Sequence, residues 1–159
     1  VQGQLIADLA TADLNGDGRA DLLVSVGDEA ATNPGFVVVL LNAAQPGDRT
    51  AAVYTLPANS DNRYNTGGLA VADLNGDGHP DVVVNSGRAD LDLPDQFHTA
   101  LGDGTGALGV WTSYSIPIGG ASGAVAAADV NGDGAAEAAV INYYENTFGA
   151  TAGPACSSG

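Results

Sequence analysis

The chain has 159 residues, 45% of them hydrophobic, which is enough to enclose a core and excludes global disorder. Nineteen Asp and Glu stand against four Arg and no Lys, and the formal charge of −15 disfavours a nucleic-acid partner while favouring divalent cations. No stretch approaches the ~20 apolar residues of a membrane-spanning helix.

In chain order, Val1-Gln2-Gly3 lacks the basic and apolar regions of a signal peptide. An extracellular or cell-surface protein whose signal has been removed is expected. Residues 1–8 hold Gln4-Leu5-Ile6-Ala7, which reads as a spare strand with no place in the unit that follows. β-Branched and aromatic content bounded by turn residues then predicts four strands in residues 9–68, at about 9–12, 22–26, 36–41 and 52–56. Residues 69–124 repeat the arrangement, with strands at about 69–72, 82–85, 97–101 and 110–116. Gly102-Asp103-Gly104-Thr105-Gly106 is the predicted hairpin turn between the last two. Residues 125–142 supply only two strands, about 125–128 and 138–142, and residues 143–159 form a tail. The tail holds Cys156, the single cysteine, which has no internal disulfide partner.

Self-comparison sets the architecture. Leu9-Ala-Thr-Ala-Asp-Leu-Asn-Gly-Asp-Gly-Arg-Ala-Asp21 aligns without gaps on residues 69–81 and 125–137, and Asp13, Asp73 and Asp129 lie 60 and then 56 residues apart. Tyr54-Thr-Leu-Pro57 matches Tyr114-Ser-Ile-Pro117 at the same offset of 60. No long 3.6-residue periodicity appears, so helices should be minor. Four strands per unit near sixty residues predict an all-β fold of β-propeller-like four-stranded blades, two complete and one partial.

Each aligned segment places oxygen-bearing side chains at alternate positions around a glycine-permitted turn between the first and second strands. A hard cation such as calcium, taking six to eight oxygens, requires that pattern. The expected ligands are Asp13, Asn15, Asp17, the carbonyl of Arg19 and Asp21 in the first loop. Asp73, Asn75, Asp77, the carbonyl of His79 and Asp81 correspond in the second, and Asp129, Asn131, Asp133, the carbonyl of Ala135 and Glu137 in the third. A backbone ligand accounts for the varied residues at 19, 79 and 135. An EF-hand is excluded because its bidentate Glu position is occupied by Val24, Val84 and Val140. Three calcium ions per chain are expected, reducing the charge of the nine loop carboxylates from −9 to −3. The competing reading is that Asn-Gly-Asp-Gly is only a hairpin turn.

These loops, together with Leu101-Gly-Asp-Gly-Thr-Gly106, resemble the FG-GAP and VCBS repeats over roughly residues 9–142. Such repeats form propeller blades in integrin α-subunits, secreted bacterial surface proteins and some fungal lectins. The resemblance implies calcium held structurally between the first two strands of each blade, with adhesion, carbohydrate binding or scaffolding as the role.

No enzymatic activity is expected, because no Ser-His-Asp, Cys-His or phosphate-loop arrangement can be assembled. His98 has no His or Cys partner near it and reads as structural. Trp111, Tyr54 and Tyr114 read as packing between blades, whereas Tyr64, Tyr143 and Tyr144 are the better candidates for stacking on a sugar. Two and a half blades cannot close a ring. A homo-oligomer or filament joined through unpaired strand edges is therefore expected, the edge of residues 138–142 among them. A glycan or surface protein is the candidate ligand. The alternatives are a lectin-like carbohydrate binder and a non-catalytic fragment of a secreted polysaccharide-active enzyme.

Overall fold

A computed structural model describes residues 3–28, 34–42, 47, 49–58, 64–88, 95–116, 121–144 and 147–152. Among them are eleven strands and no helix: β1 (Gln4–Ala12), β2 (Asp21–Asp28), β3 (Phe36–Leu41), β4 (Thr50–Thr55), β5 (Tyr64–Ala72), β6 (Asp81–Arg88), β7 (Asp95–Ala100), β8 (Thr112–Ile116), β9 (Ala121–Ala128), β10 (Glu137–Tyr144) and β11 (Thr147–Ala152). They form three antiparallel sheets in the orders β1-β2-β3-β4, β5-β6-β7-β8 and β9-β10-β11. The all-β, blade-like organisation expected from the repeat is thus present.

Two expectations are corrected. Gln4-Leu5-Ile6-Ala7 is not a spare strand but the first half of β1: Gln4, Leu5 and Ile6 pair with Asp28, Gly27 and Val26, and the register shifts between Ile6 and Asp8. That shift hides the continuity, because a bulge breaks the inside–outside alternation by which a strand is recognised. Nor is the edge after Ala138–Asn142 open. β11 covers it, with Ile141 opposite Ala150 and Asn142 opposite Gly149. Thr147-Phe-Gly-Ala-Thr-Ala152 is too poor in large apolar residues to announce itself as a strand, and the pairing itself supplies its conformation. Cys156 lies outside the described residues.

Sheets stack through their continuous apolar strands, as strands buried on both faces must. Leu14, Leu23, Val37, Val39 and Leu56 of the first repeat join Leu69, Val82, Val84, Ala100 and Leu108 of the second in one core, with Tyr54 and Trp111 packed against it. A second, smaller core sets Leu74, Val83, Phe97 and Ile116 against Val140, flanked by Val125, Ala127 and Ala138 of the third sheet. The rings of Phe97 and Tyr114 stack at 4.7 Å. Polar contacts register the sheets. Asp8 Oδ2 accepts the Leu69 N–H at 2.9 Å, and Ser25 Oγ donates to the Gly67 carbonyl at 3.1 Å. One repeat later, Asn85 Nδ2 donates to the Ile141 carbonyl at 3.1 Å and the Gly123 carbonyl at 3.4 Å. The inner strands β5 and β9 approach closely at Gly68, where a Cβ would sit 2.5 Å from Val125 N.

Candidate metal centres

The three loops join β1 to β2, β5 to β6 and β9 to β10, each crossing from the innermost strand of a sheet to the next. Both glycines of every Asn-Gly-Asp-Gly have positive φ: Gly16 and Gly18, Gly76 and Gly78, Gly132 and Gly134, at 72 to 96°. Both glycines are needed, since two left-handed residues in one loop curl the chain back on itself.

Within each curl the acidic side chains are pinned by backbone N–H groups. In the first loop Asp13 Oδ1 accepts from Asp17 N at 3.0 Å and Oδ2 from Gly18 N at 2.8 Å, while Asp17 Oδ1 accepts from Arg19 N at 2.9 Å. Asn15 bridges the turn, its Oδ1 accepting from Asp17 N at 3.1 Å and its Nδ2 donating to Asp17 Oδ2 at 3.2 Å. The second loop repeats this with Asp73 on Gly76 N, Asp77 N and Gly78 N, Asn75 on Asp77, and Asp77 on His79 N, at 2.7 to 3.2 Å. The third places Asp129 on Gly132 N and Gly134 N, Asn131 on Asp133 and Asp133 on Ala135 N. At Asp77 and Asp129 these bonds favour the charged form. The Asn75 amide and His79 N–H hold Asp77 below the usual carboxylate range, and the N–H groups of Gly132 and Gly134 do the same for Asp129.

The closing carboxylates differ. Asp21 and Asp81 are fully buried. Each ties three segments together: Asp21 accepts from Leu14 N at 3.0 Å and from Asn42 N, just past β3, at 2.8 Å. Asp81 accepts from Leu74 N at 2.9 Å and Gly102 N, just past β7, at 2.8 Å. Burial raises the Asp81 carboxyl above its ordinary range against the opposing pull of the Gly102 and Leu74 N–H groups. Glu137 is only half-buried, and both its oxygens turn back into its own loop, to Val130 N at 2.9 Å and Asn131 Nδ2 at 2.6 Å. Among the described residues, the third loop has no counterpart of the bonds by which Asp21 and Asp81 hold the backbone just past β3 and β7. No local sequence signal marks Asn42 or Gly102 as partners, because they lie 21 residues from the carboxylates they hold. Asn42 does have a left-handed φ of 54°, a conformation Asn tolerates better than most residues.

The donor chemistry fits a hard cation: every side-chain donor expected is oxygen, and a carboxylate or amide oxygen that accepts one N–H keeps a second lone pair. Among the described residues no group of three or more Asp, Glu, His or Cys side chains is gathered as a metal cluster. The loops are preformed turns whose carboxylates face the backbone rather than one common point.

Two other candidates are placed. His98 is fully buried, with Ser86 Oγ 2.8 Å from Nε2 and Ser113 Oγ 2.9 Å from Nδ1, and burial lowers it to about 4. Trp111, Tyr54 and Tyr114 pack between sheets as expected. The side chains of Tyr64, Tyr143 and Tyr144 lie outside the described residues. A cleft of about 170 Å³ between the second and third sheets is lined by Phe97, Tyr114, Thr99, Thr112, Asn75 and Glu137, among others.

Residues 13–84 match the family model of an FG-GAP-like repeat, and residues 65–111 match that of the FG-GAP repeat. No curated protein matches the chain.

Proposed function

The chain belongs to the FG-GAP repeat family, and from that premise we propose that it is a non-enzymatic, extracellular module whose blades are braced by calcium and which acts in adhesion or self-assembly. The supporting observation is the threefold repetition of one turn with one set of hard oxygen donors. Asp13, Asn15, Asp17 and Asp21, with the Arg19 carbonyl, would hold the first ion, and the residues 60 and then 116 positions later the other two. Calcium supplies charge neutralisation there. Drawing three carboxylates of one loop toward a point costs repulsion that only a cation offsets, and each ion removes two units from a chain of −15. The role is structural because the closing residues Asp21 and Asp81 also hold the backbone just past β3 and β7, so an ion bound there would stiffen three strands of the sheet rather than the loop alone.

Isothermal titration with calcium tests the reading. Three sites are expected, together with a calcium-dependent rise in melting temperature that a chelator reverses. Fewer than two sites, or a melting temperature indifferent to calcium, would overturn it.

A second reading, carbohydrate binding, is favoured by the cleft beside the Phe97–Tyr114 stack, where an aromatic wall meets the hydroxyls of Thr99 and Thr112 and the Glu137 carboxylate. A glycan array separates the two, since self-assembly needs no sugar.

A further inference from the structure

The second and third loops are bonded to each other in a way that the first and second are not. Ala136 N donates to the carbonyl of Asp73 at 2.7 Å, a backbone bond between two different loops. A Cβ built on Gly76 would meet Gly134 O at 3.6 Å and the Ala135 Cβ at 4.0 Å, so the two turns lie within van der Waals reach. At Gly16, the matching position of the first loop, a Cβ would meet nothing within 4 Å.

One residue accounts for the missing bond. Ala20, Pro80 and Ala136 occupy the same position of the repeated segment. Ala136 has an N–H to offer the loop before it, whereas proline has none, so the second loop cannot make the corresponding bond to the first. Pro80 also shows that the turn accepts proline at this position, since the second loop keeps the positive-φ glycines and the internal bonds of the other two.

Both partners of the bond belong to expected ligand sets. Asp73 is the first ligand of the second loop. The Ala136 N–H lies in the same planar peptide group as the Ala135 carbonyl, the backbone ligand of the third loop, so fixing the direction of one fixes the other. The connection runs one peptide further, because Leu74 N, in the same group as the Asp73 carbonyl, donates to Asp81 Oδ2 at 2.9 Å. Two peptide groups in series thus join Asp81, which closes the second loop, to the Ala135 carbonyl. Hydrogen bonds in such a chain polarise one another and make the terminal carbonyl oxygen a better ligand. Glu137 supplies no such brace, since its oxygens go to Val130 N and Asn131 Nδ2.

We propose that the second loop positions the third calcium site through the Ala136 N–H, so that the second and third sites are a linked pair filled in that order while the first is independent. This deepens the calcium reading above and rests on it. An ion on Asp73 steadies the carbonyl that holds Ala136, which leaves less ordering to the binding of the next ion. A second loop with its three carboxylates and one divalent ion still carries a net −1, so filling it does not turn it against a neighbouring cation.

Nitrogen–proton correlation spectra during a calcium titration test the linkage, because Gly16 and Gly18, Gly76 and Gly78, and Gly132 and Gly134 report the three loops separately. Ala136→Pro removes the N–H in a turn that accepts proline, Ala136→Gly keeps the N–H, and Asp77→Asn weakens the second site. In Ala136→Pro the Gly132 and Gly134 midpoints are expected at about tenfold or higher calcium, with Gly16 and Gly18 unmoved. Ala136→Gly should stay close to wild type. Asp77→Asn should raise the third-loop midpoint about fivefold or more without moving the first, and should have no such effect when Ala136→Pro is already present. A bond that only holds the fold together would lower the melting temperature in chelator and leave the midpoints in place. Third-loop midpoints indifferent to Asp77→Asn overturn the proposal, and this arm decides alone if Ala136→Pro does not fold. So does a folded Ala136→Pro with wild-type midpoints. Three loops that bind calcium without linkage would refute the proposal and leave the calcium reading intact, whereas loop glycines that never respond to calcium would overturn both.

Discussion

The Tyr54 hydroxyl accepts the backbone N–H of Leu108 at 3.1 Å, joining the outer strand of the first sheet to the outer hairpin of the second. Leu108 is buried and Tyr54 half-buried, and Gly106 in the same hairpin lies against the Leu41 side chain, so the bond is partly shielded from solvent. Tyr54→Phe therefore leaves a buried N–H unpaired while preserving the ring. A loss of about 1–3 kcal/mol is expected by urea unfolding. An unchanged midpoint would show that water takes the place of the hydroxyl.

Asp77→Asn removes one charge and one hydrogen bond of the second loop. The amide oxygen can still accept the His79 N–H, which Asp77 Oδ1 holds at 2.8 Å, but the amide nitrogen cannot accept the Asn75 Nδ2 donor that Asp77 Oδ2 holds at 2.8 Å. The calcium-free protein should melt slightly lower. Calcium should bind that loop about tenfold or more weakly. Equal calcium affinities for the variant and wild type would remove Asp77 from the ligand set.

Asp21→Ala has a different signature, because this buried carboxylate holds the N–H groups of both Leu14 and Asn42. Truncation strands two donors, so a loss of about 2–5 kcal/mol is expected even in chelator, where no metal contributes. A Glu137→Ala change, in the half-buried third loop, should cost less under the same conditions. A thermal melt of both variants in chelator decides the order.

His98 gives the fold an acid limit. Its folded pKa of about 4 lies below the ordinary value of 6.5, so the unfolded chain binds the proton more readily. Stability contributed by the neutral ring is full above about pH 6.5 and is lost as pH falls toward 4, by about 3 kcal/mol in all. The depressed carboxylates Asp77, Asp103 and Asp129 act lower, below the ordinary 3.8. His98→Gln, which retains polar atoms for Ser86 and Ser113, should flatten the stability profile between pH 4 and 6.5. A slope that persists there would place its origin elsewhere.

Gly68→Ala tests the approach of the second and third sheets. A methyl group at that position meets backbone atoms of Ala124 and Val125 rather than a movable side chain, so β5 and β9 would have to separate. Destabilisation of about 1–3 kcal/mol is expected by chemical unfolding. Wild-type stability would show that the third sheet is free to shift.

Strand content, repeat length and the loops were legible in the sequence because each is a local property. β3 runs over Phe36–Leu41, as five consecutive aliphatic residues after an aromatic one predict. The turn at each Asn-Gly-Asp-Gly follows from residues that need no distant partner. Tertiary structure alone decided the rest. β11 takes its conformation from β10, and the first half of β1 from β2 across a bulge. Asp21 and Asp81 find their second partners 21 residues away. Leu9 and Leu69 occupy matching positions of one repeated segment and are 59% and 5% exposed. Composition and spacing are set along the chain, whereas burial depends on which sheet comes to rest against which, and that is a property of packing.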